Sequence, residues 1–146
     1  MIGRHVGVDY GRRRIGLAVC DALGITVTGL DTVVLRDADD PVAAVARALE
    51  GEQAARLVVG LPLHADGRES EMSKEARTFG DALGKALGVP VAYVDEGLTS
   101  WEAEESMKGR RKSLERARRD GEIDRAVAVS LLRSYLRQVD GGSTSS

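Results

Sequence analysis

His5-Val6-Gly7-Val8-Asp9, Tyr10-Gly11-Arg12-Arg13-Arg14 and Ile15-Gly16-Leu17-Ala18-Val19-Cys20 follow one another, and this opening stretch decides the fold. Two runs rich in β-branched and apolar residues flank a glycine-containing turn, so the spacing predicts a β-hairpin. Period-two alternation puts His5, Gly7 and Asp9 on one face of the first strand and Val6 and Val8 on the other. Gly7 and Gly11 carry no side chain, which leaves room beside Asp9 for a ligand or another backbone.

Outward from the hairpin, strands and helices alternate. Leu30 to Leu35 is a third strand candidate. Asp40-Pro41 reads as an N-cap with proline at the first helical position, followed by Val42, Val45, Ala46 and Leu49 on one face and a stop at Gly51. Leu57-Val58-Val59 is continuously apolar and ends in Gly60-Leu61-Pro62, the pattern of a strand covered on both faces. Ser70 caps a second helix bearing Met72, Ala76, Phe79, Leu83 and Leu87, which Gly88 and Pro90 close. Val91 to Val94 is the last strand and runs into Asp95-Glu96. Thr99 and Glu102 form a capping box for a helix to about Met107. A polar stretch from Lys108 to Gly121 precedes a final helix from about Glu122 to Gln138. The expectation is an α/β fold, a mixed five-stranded sheet with helices on both faces. Residues 1–139 form one domain and residues 140–146 a flexible tail.

Composition narrows the function. The chain has 146 residues, room for one ordinary domain. Its 21 Lys and Arg against 23 Asp and Glu exclude a uniformly polycationic coat but allow a local basic patch. Aromatic residues are 3 %, which disfavours a module binding mainly by base stacking. One cysteine, Cys20, permits no intrachain disulfide and points to a packed thiol. There is no phosphate-binding GxGxxG or GxxxxGK[ST] loop. No signal core or membrane-length apolar run is visible, so the expected location is the cytoplasm.

Three carboxylates sit where carboxylates are costly. Asp9 ends the first strand and Glu96 follows the last, with Asp95 ranked below it. Asp124 lies in the first turn of the final helix, with Val127, Ala128 and Leu131 on its own face. An acid on an apolar helix face is expensive unless paired or bound to a cation. If the strands of Asp9, Gly60 and Glu96 run parallel in that spatial order, the acids share the C-terminal sheet edge, where such sheets bind ligands. All-oxygen acidic sites select hard cations, Mg²⁺ or Mn²⁺, and two such ions suit in-line displacement at phosphorus.

Gly7-Val8-Asp9-Tyr10-Gly11 with Arg14-Ile15-Gly16-Leu17-Ala18 resembles the opening motif of the YqgF/RuvX family. Val59-Gly60-Leu61-Pro62 resembles its central motif, Asp95-Glu96-Gly97-Leu98-Thr99-Ser100 its acidic segment, and Ile123-Asp124-Arg125-Ala126-Val127-Ala128 its C-terminal helix. The four motifs span about residues 5 to 137. The resemblance implies an RNase H-like fold and metal-dependent phosphodiester hydrolysis with Asp9, Glu96 and Asp124 as catalytic and metal-holding residues. It implies 5′-end processing of pre-16S rRNA, or alternatively resolution of Holliday junctions in branched DNA. Gly97 stands where the family usually has arginine, and Val127-Ala128 where two alanines are usual.

Two basic segments flank the acids. Arg12, Arg13 and Arg14 follow Asp9. Lys108, Arg110, Arg111, Lys112, Arg116, Arg118 and Arg119 face only Glu115, so seven cations against one acid leave that segment at +6. Such clusters hold a nucleic-acid backbone without reading bases. The expected partner is structured RNA, with branched DNA as the other polyanion and no membrane; the chain is a monomer or, for a resolvase, a twofold dimer. A non-catalytic RNA- or ribosome-binding module is a further alternative. An actin-like kinase needs a second domain for its nucleotide. His5 and His64 are read as structural or surface residues, and Trp101 as a core residue.

Overall fold

A computed structural model describes residues 3–95 and 122–144. In chain order it contains β1 (Arg4–Asp9), β2 (Arg14–Cys20), β3 (Val27–Gly29), β4 (Val33–Val34), α1 (Pro41–Ala48), β5 (Ala54–Leu61), α2 (Glu71–Leu87), β6 (Val91–Asp95) and α3 (Glu122–Thr144). The sheet order is β3-β2-β1-β5-β6, and β4 adds to β2 off that path. The hairpin pair β1–β2 is antiparallel, whereas β1–β5 and β5–β6 are parallel. The mixed sheet follows from the connections: a short turn can only reverse the chain, while α1 and α2 carry it back for parallel pairing.

Both sheet faces are covered, which explains the unbroken apolar runs. Val6, Val8, Ile15, Leu17, Leu57 and Val59 pack with Val45 of α1 and Phe79 and Leu83 of α2. Ala18, Cys20 and Val58 point the other way, against Ala128, Leu131, Leu132 and Leu136 of α3. The helix ends obey local chemistry. Asp40 accepts from the Val42 N–H at 3.1 Å, with Pro41 at the start of α1. Ser70 and Ser73 exchange reciprocal bonds at the start of α2, and Gly88 closes that helix at φ +70°. Proline has no N–H to lose at a helix start, and glycine enters the left-handed region without a Cβ clash.

Two sequence expectations change. Within Leu30 to Leu35 only Val33–Val34 is a strand, a further short strand, Val27–Gly29, precedes it, and the two pair with different parts of β2, giving six strands where five were expected. Leu30 donates to Leu17 O at 2.8 Å, but its own carbonyl accepts Arg125 Nε at 3.0 Å. A guanidinium arriving from α3 thus takes the acceptor where the ladder breaks. The last helix also continues beyond Gln138 to Thr144. The helix expected near 99–107, the basic stretch 108–119, Glu96, Gly97 and Trp101 lie outside the described residues.

Candidate active site at the sheet edge

Asp9 ends β1, and its register partner across the hairpin is Gly16. Gly16 is where α3 comes down. A Cβ placed there would stand 2.1 Å from Asp124 O and 3.1 Å from Asp124 Cβ. Directly opposed antiparallel residues have Cα atoms about 4.5–5.5 Å apart. The backbone of Asp124 therefore sits over the position beside Asp9. The same face is followed one helical turn later, where a Cβ on Gly7 would meet Ala128 O at 2.8 Å. The space that alternation left above Gly7 is filled by another backbone, that of α3. Gly11 differs, because a Cβ there would lie 2.5 Å from Arg14 O, so its bareness permits the tight turn.

Arg14 shares the face of Gly16, two residues earlier on β2. Burial pushes the Asp124 carboxyl above the ordinary range for aspartate, and the nearby Arg14 charge pulls the other way. Asp124 is half-buried, and Asp9 and Arg14 are engaged as well. Two carboxylates on adjoining elements at one edge are oxygen donors of the chemical type that hard divalent cations take. Among the described residues no group of three metal-ligating side chains is assembled.

Arg125 fixes this geometry from the next helical position. Its stem passes over Gly29, where a Cβ would lie 2.3 Å from Arg125 Cγ. Its head bonds Leu30 O, and its 3.4 Å approach to exposed Asp31 adds little. Sequence reasoning missed this anchor. The available signal was a glycine in β3 facing a long side chain one helical turn from apolar Val129. Arg125→Met keeps much of the stem and removes the bond, so urea unfolding should show a loss of about 1–3 kcal/mol.

The fifth strand lies between β1 and β6, as expected for acids converging across Gly60. Gly60 pairs with Val94, which packs against the α3 cluster, whereas Leu61 pairs with Asp95. Asp95 is exposed and shares its side of the strand with Tyr93, which bonds α2. Asp95 therefore faces away from Asp9.

The three arginines after Asp9 take different directions. Arg12 forms a fork with Glu75 of α2, with Nε 3.0 Å from both carboxylate oxygens. Arg13 is exposed, and Arg14 is half-buried with its charge acting on Asp124. His5 is buried with its ring 5.7 Å from that of Tyr135, and burial holds its imidazole below the ordinary value. Cys20 is a buried thiol that accepts from the His5 N–H at 3.2 Å. His64 closes a loop through its backbone with Arg68 and Gly67. Among the described residues no helix is long and apolar enough to cross a membrane.

This arrangement has relatives. A protein of Synechococcus elongatus (strain PCC 7942), named among pre-16S rRNA nucleases, is 47 % identical over 131 residues, covering 90 % of this chain and 87 % of that one. One from Anaeromyxobacter dehalogenans (strain 2CP-1), named in the same way, is 42 % identical over 133 residues, covering 91 % and 96 %. Among solved structures, the fowlpox virus Holliday junction resolvase superposes with a TM-score of 0.56 at 15 % identity, over 93 % of this chain and 99 % of the other. RuvC of T. thermophilus bound to a Holliday junction superposes at 0.51 with 16 % identity, over 93 % and 95 %. These two likenesses establish the RNase H-like fold. The family model described as RuvX, Holliday junction resolvase, matches residues 3–138, and the chain belongs to that family.

Proposed function

We propose that this chain is a divalent-metal-dependent nuclease that hydrolyses phosphodiester bonds in the cytoplasm, with the 5′ end of pre-16S rRNA as its substrate. The observation that carries the reading is the contact of Gly16 with Asp124, which sets a half-buried acid beside Asp9 at the ligand-binding edge of the sheet. Relatives 42–47 % identical over nine-tenths of the chain, named for pre-16S rRNA, favour RNA as the substrate. The family description favours a junction resolvase as the second reading.

Asp9 and Asp124 would hold Mg²⁺ or Mn²⁺, with Glu96 as the third acid. The family motif assigns that role to Glu96, and Asp95 shares the side of β6 that Tyr93 occupies. Bound there, such cations would supply Lewis acidity toward a phosphoryl oxygen and a nucleophilic water at neutral pH. The protein's own work is to hold the acids rigidly and in register. Arg14 holds charge balance beside Asp124, and α3 screens that acid from water. Arg13 and the cations of the segment from Lys108 to Arg119 hold the phosphate backbone, and Glu75 fixes the head of Arg12.

The deciding experiment incubates wild type and Asp9→Asn with matched precursor rRNA, single-stranded RNA and a four-way junction, in Mg²⁺, Mn²⁺ or EDTA. Wild type should cut the precursor only with metal, and the variant should not cut it. Equal cutting by both proteins defeats the mechanism. Preference for the junction, by a twofold dimer, moves the assignment to resolvase. Binding should also weaken with salt. If about three phosphates are contacted, affinity falls roughly tenfold or more between 50 and 200 mM salt. A flat response in fluorescence anisotropy removes the basic residues from the reading.

A further inference from the structure

Tyr10 follows Asp9 but belongs to the opposite side of the sheet, where it packs on Phe79 with ring centroids 4.8 Å apart. It forms one wall of a groove between α1 and α2, of about 440 Å³, lined also by Val42, Thr78, Phe79, Ala82 and Lys74. A second cavity of about 260 Å³ is lined by Arg12, Arg13, Leu35, Arg36, Asp37 and Asp39. Pro41 borders both, and the Arg12–Glu75 pair stands at their junction.

We propose that the two cavities together bind one unpaired nucleotide of a single-stranded RNA segment, the base in the apolar groove and its phosphate in the arginine cavity. The proposal rests on the nuclease reading for the identity of its ligand but not for its contacts. The lining changes from mostly apolar to arginine-rich and polar across Pro41, which matches the change from base to phosphate within a nucleotide. An apolar groove accepts the flat face of any base, so it needs no sequence preference. Arg12 is paired with Glu75, and Asp39 is oriented by the backbone N–H of Arg36 at 2.8 Å, so Arg13 and Arg36 are the cations that a phosphate would meet, with Asp37 and Asp39 as the acids of the rim.

Position supports the same occupant. Asp9 and Tyr10 are consecutive, so their Cα atoms are about 3.8 Å apart. A strand crossing the sheet edge can present a phosphate to the Asp9 face and drop a neighbouring base into the Tyr10 groove. A base locked in a duplex cannot enter, so the site selects single-stranded RNA beside the cut.

The test measures binding alone, in EDTA, by anisotropy with a labelled single-stranded RNA dodecamer, the same dodecamer as single-stranded DNA, and a blunt RNA duplex. Ala82→Trp fills the groove from an exposed wall, and Thr78→Trp fills it from a second exposed position should the first disturb folding. Arg36→Glu reverses charge in the cavity. Wild type should bind the single-stranded RNA about tenfold more tightly than the duplex. Each variant, shown folded by circular dichroism, should lose about tenfold on the single strand and little on the duplex. Equal loss on single strand and duplex, or no loss on either single strand, overturns the site. Loss confined to the DNA overturns the choice of RNA. The expected pattern in a protein that never cuts RNA upholds the site and defeats the nuclease reading instead.

Discussion

Asp9→Asn and Asp124→Asn each lower metal-dependent RNA cleavage by at least about 10³-fold, measured as single-turnover rate at saturating protein. The size follows from the several kcal/mol of charge stabilisation that a correctly held cation supplies, at 1.4 kcal/mol per factor of ten. Asparagine keeps the shape and one oxygen but removes the negative charge. The two variants should differ in stability. Asp124 is half-buried, and burial raises its carboxyl above the unfolded value while Arg14 opposes that rise. A raised carboxyl means that the folded chain holds the proton more tightly than the unfolded chain does. Ionisation above the folded value therefore opposes folding, and this penalty disappears as pH falls through that value. In EDTA at neutral pH, Asp124→Asn should accordingly melt no lower than wild type while its cleavage is lost. A clear drop in its melting temperature would show that the Arg14 attraction outweighs desolvation. Added Mn²⁺ should raise the melting temperature of wild type and leave both variants nearly unmoved.

Gly16→Ala is the second large effect, although it adds one methyl group and touches no acid. The new Cβ would stand 2.1 Å from Asp124 O, a backbone atom that cannot rotate aside. The start of α3 must retreat, carrying Asp124 away from Asp9. Overpacking of this kind costs about 1–3 kcal/mol, read as a lower urea midpoint at unchanged slope. Displacement near 1 Å in a catalytic constellation costs about 10²-fold in rate. Gly7→Ala is the informative comparison, since its Cβ would meet Ala128 O at 2.8 Å and Leu132 Cβ at 3.0 Å, one turn farther along α3. It should lose comparable stability and less activity. If Gly16→Ala cleaves at the wild-type rate, the close approach does not set the distance between the acids.

The difference between these two glycines shows what could be read in the sequence. Alternation in β1 was legible, because Val6 and Val8 are buried on the one sheet face that period two assigns to them. Caps were legible for the same local reason: Asp40, Ser70 and Gly88 act through atoms within a few residues of themselves. The break between β3 and β4 was not legible. It depends on Arg125, 95 residues away from Leu30, and no pattern near Leu30 encodes that partner. The three consecutive arginines looked alike as a run. Only packing sends Arg12 to Glu75 and sets the charge of Arg14 acting on Asp124 while leaving Arg13 exposed.

By itself the chain determined the opening hairpin, the apolar central strand, the caps of α1 and α2 and its family, since each depends on short-range sterics, hydrogen bonding or a run of motifs. Tertiary structure decided that Asp124 lies beside Asp9, that Asp95 turns to the other face, and that Tyr10 opens a groove behind the sheet. Those facts depend on how closely one backbone approaches another. Here a hydrogen atom in place of a methyl group at Gly16 sets that distance, and it acts on a helix more than one hundred residues farther along the chain.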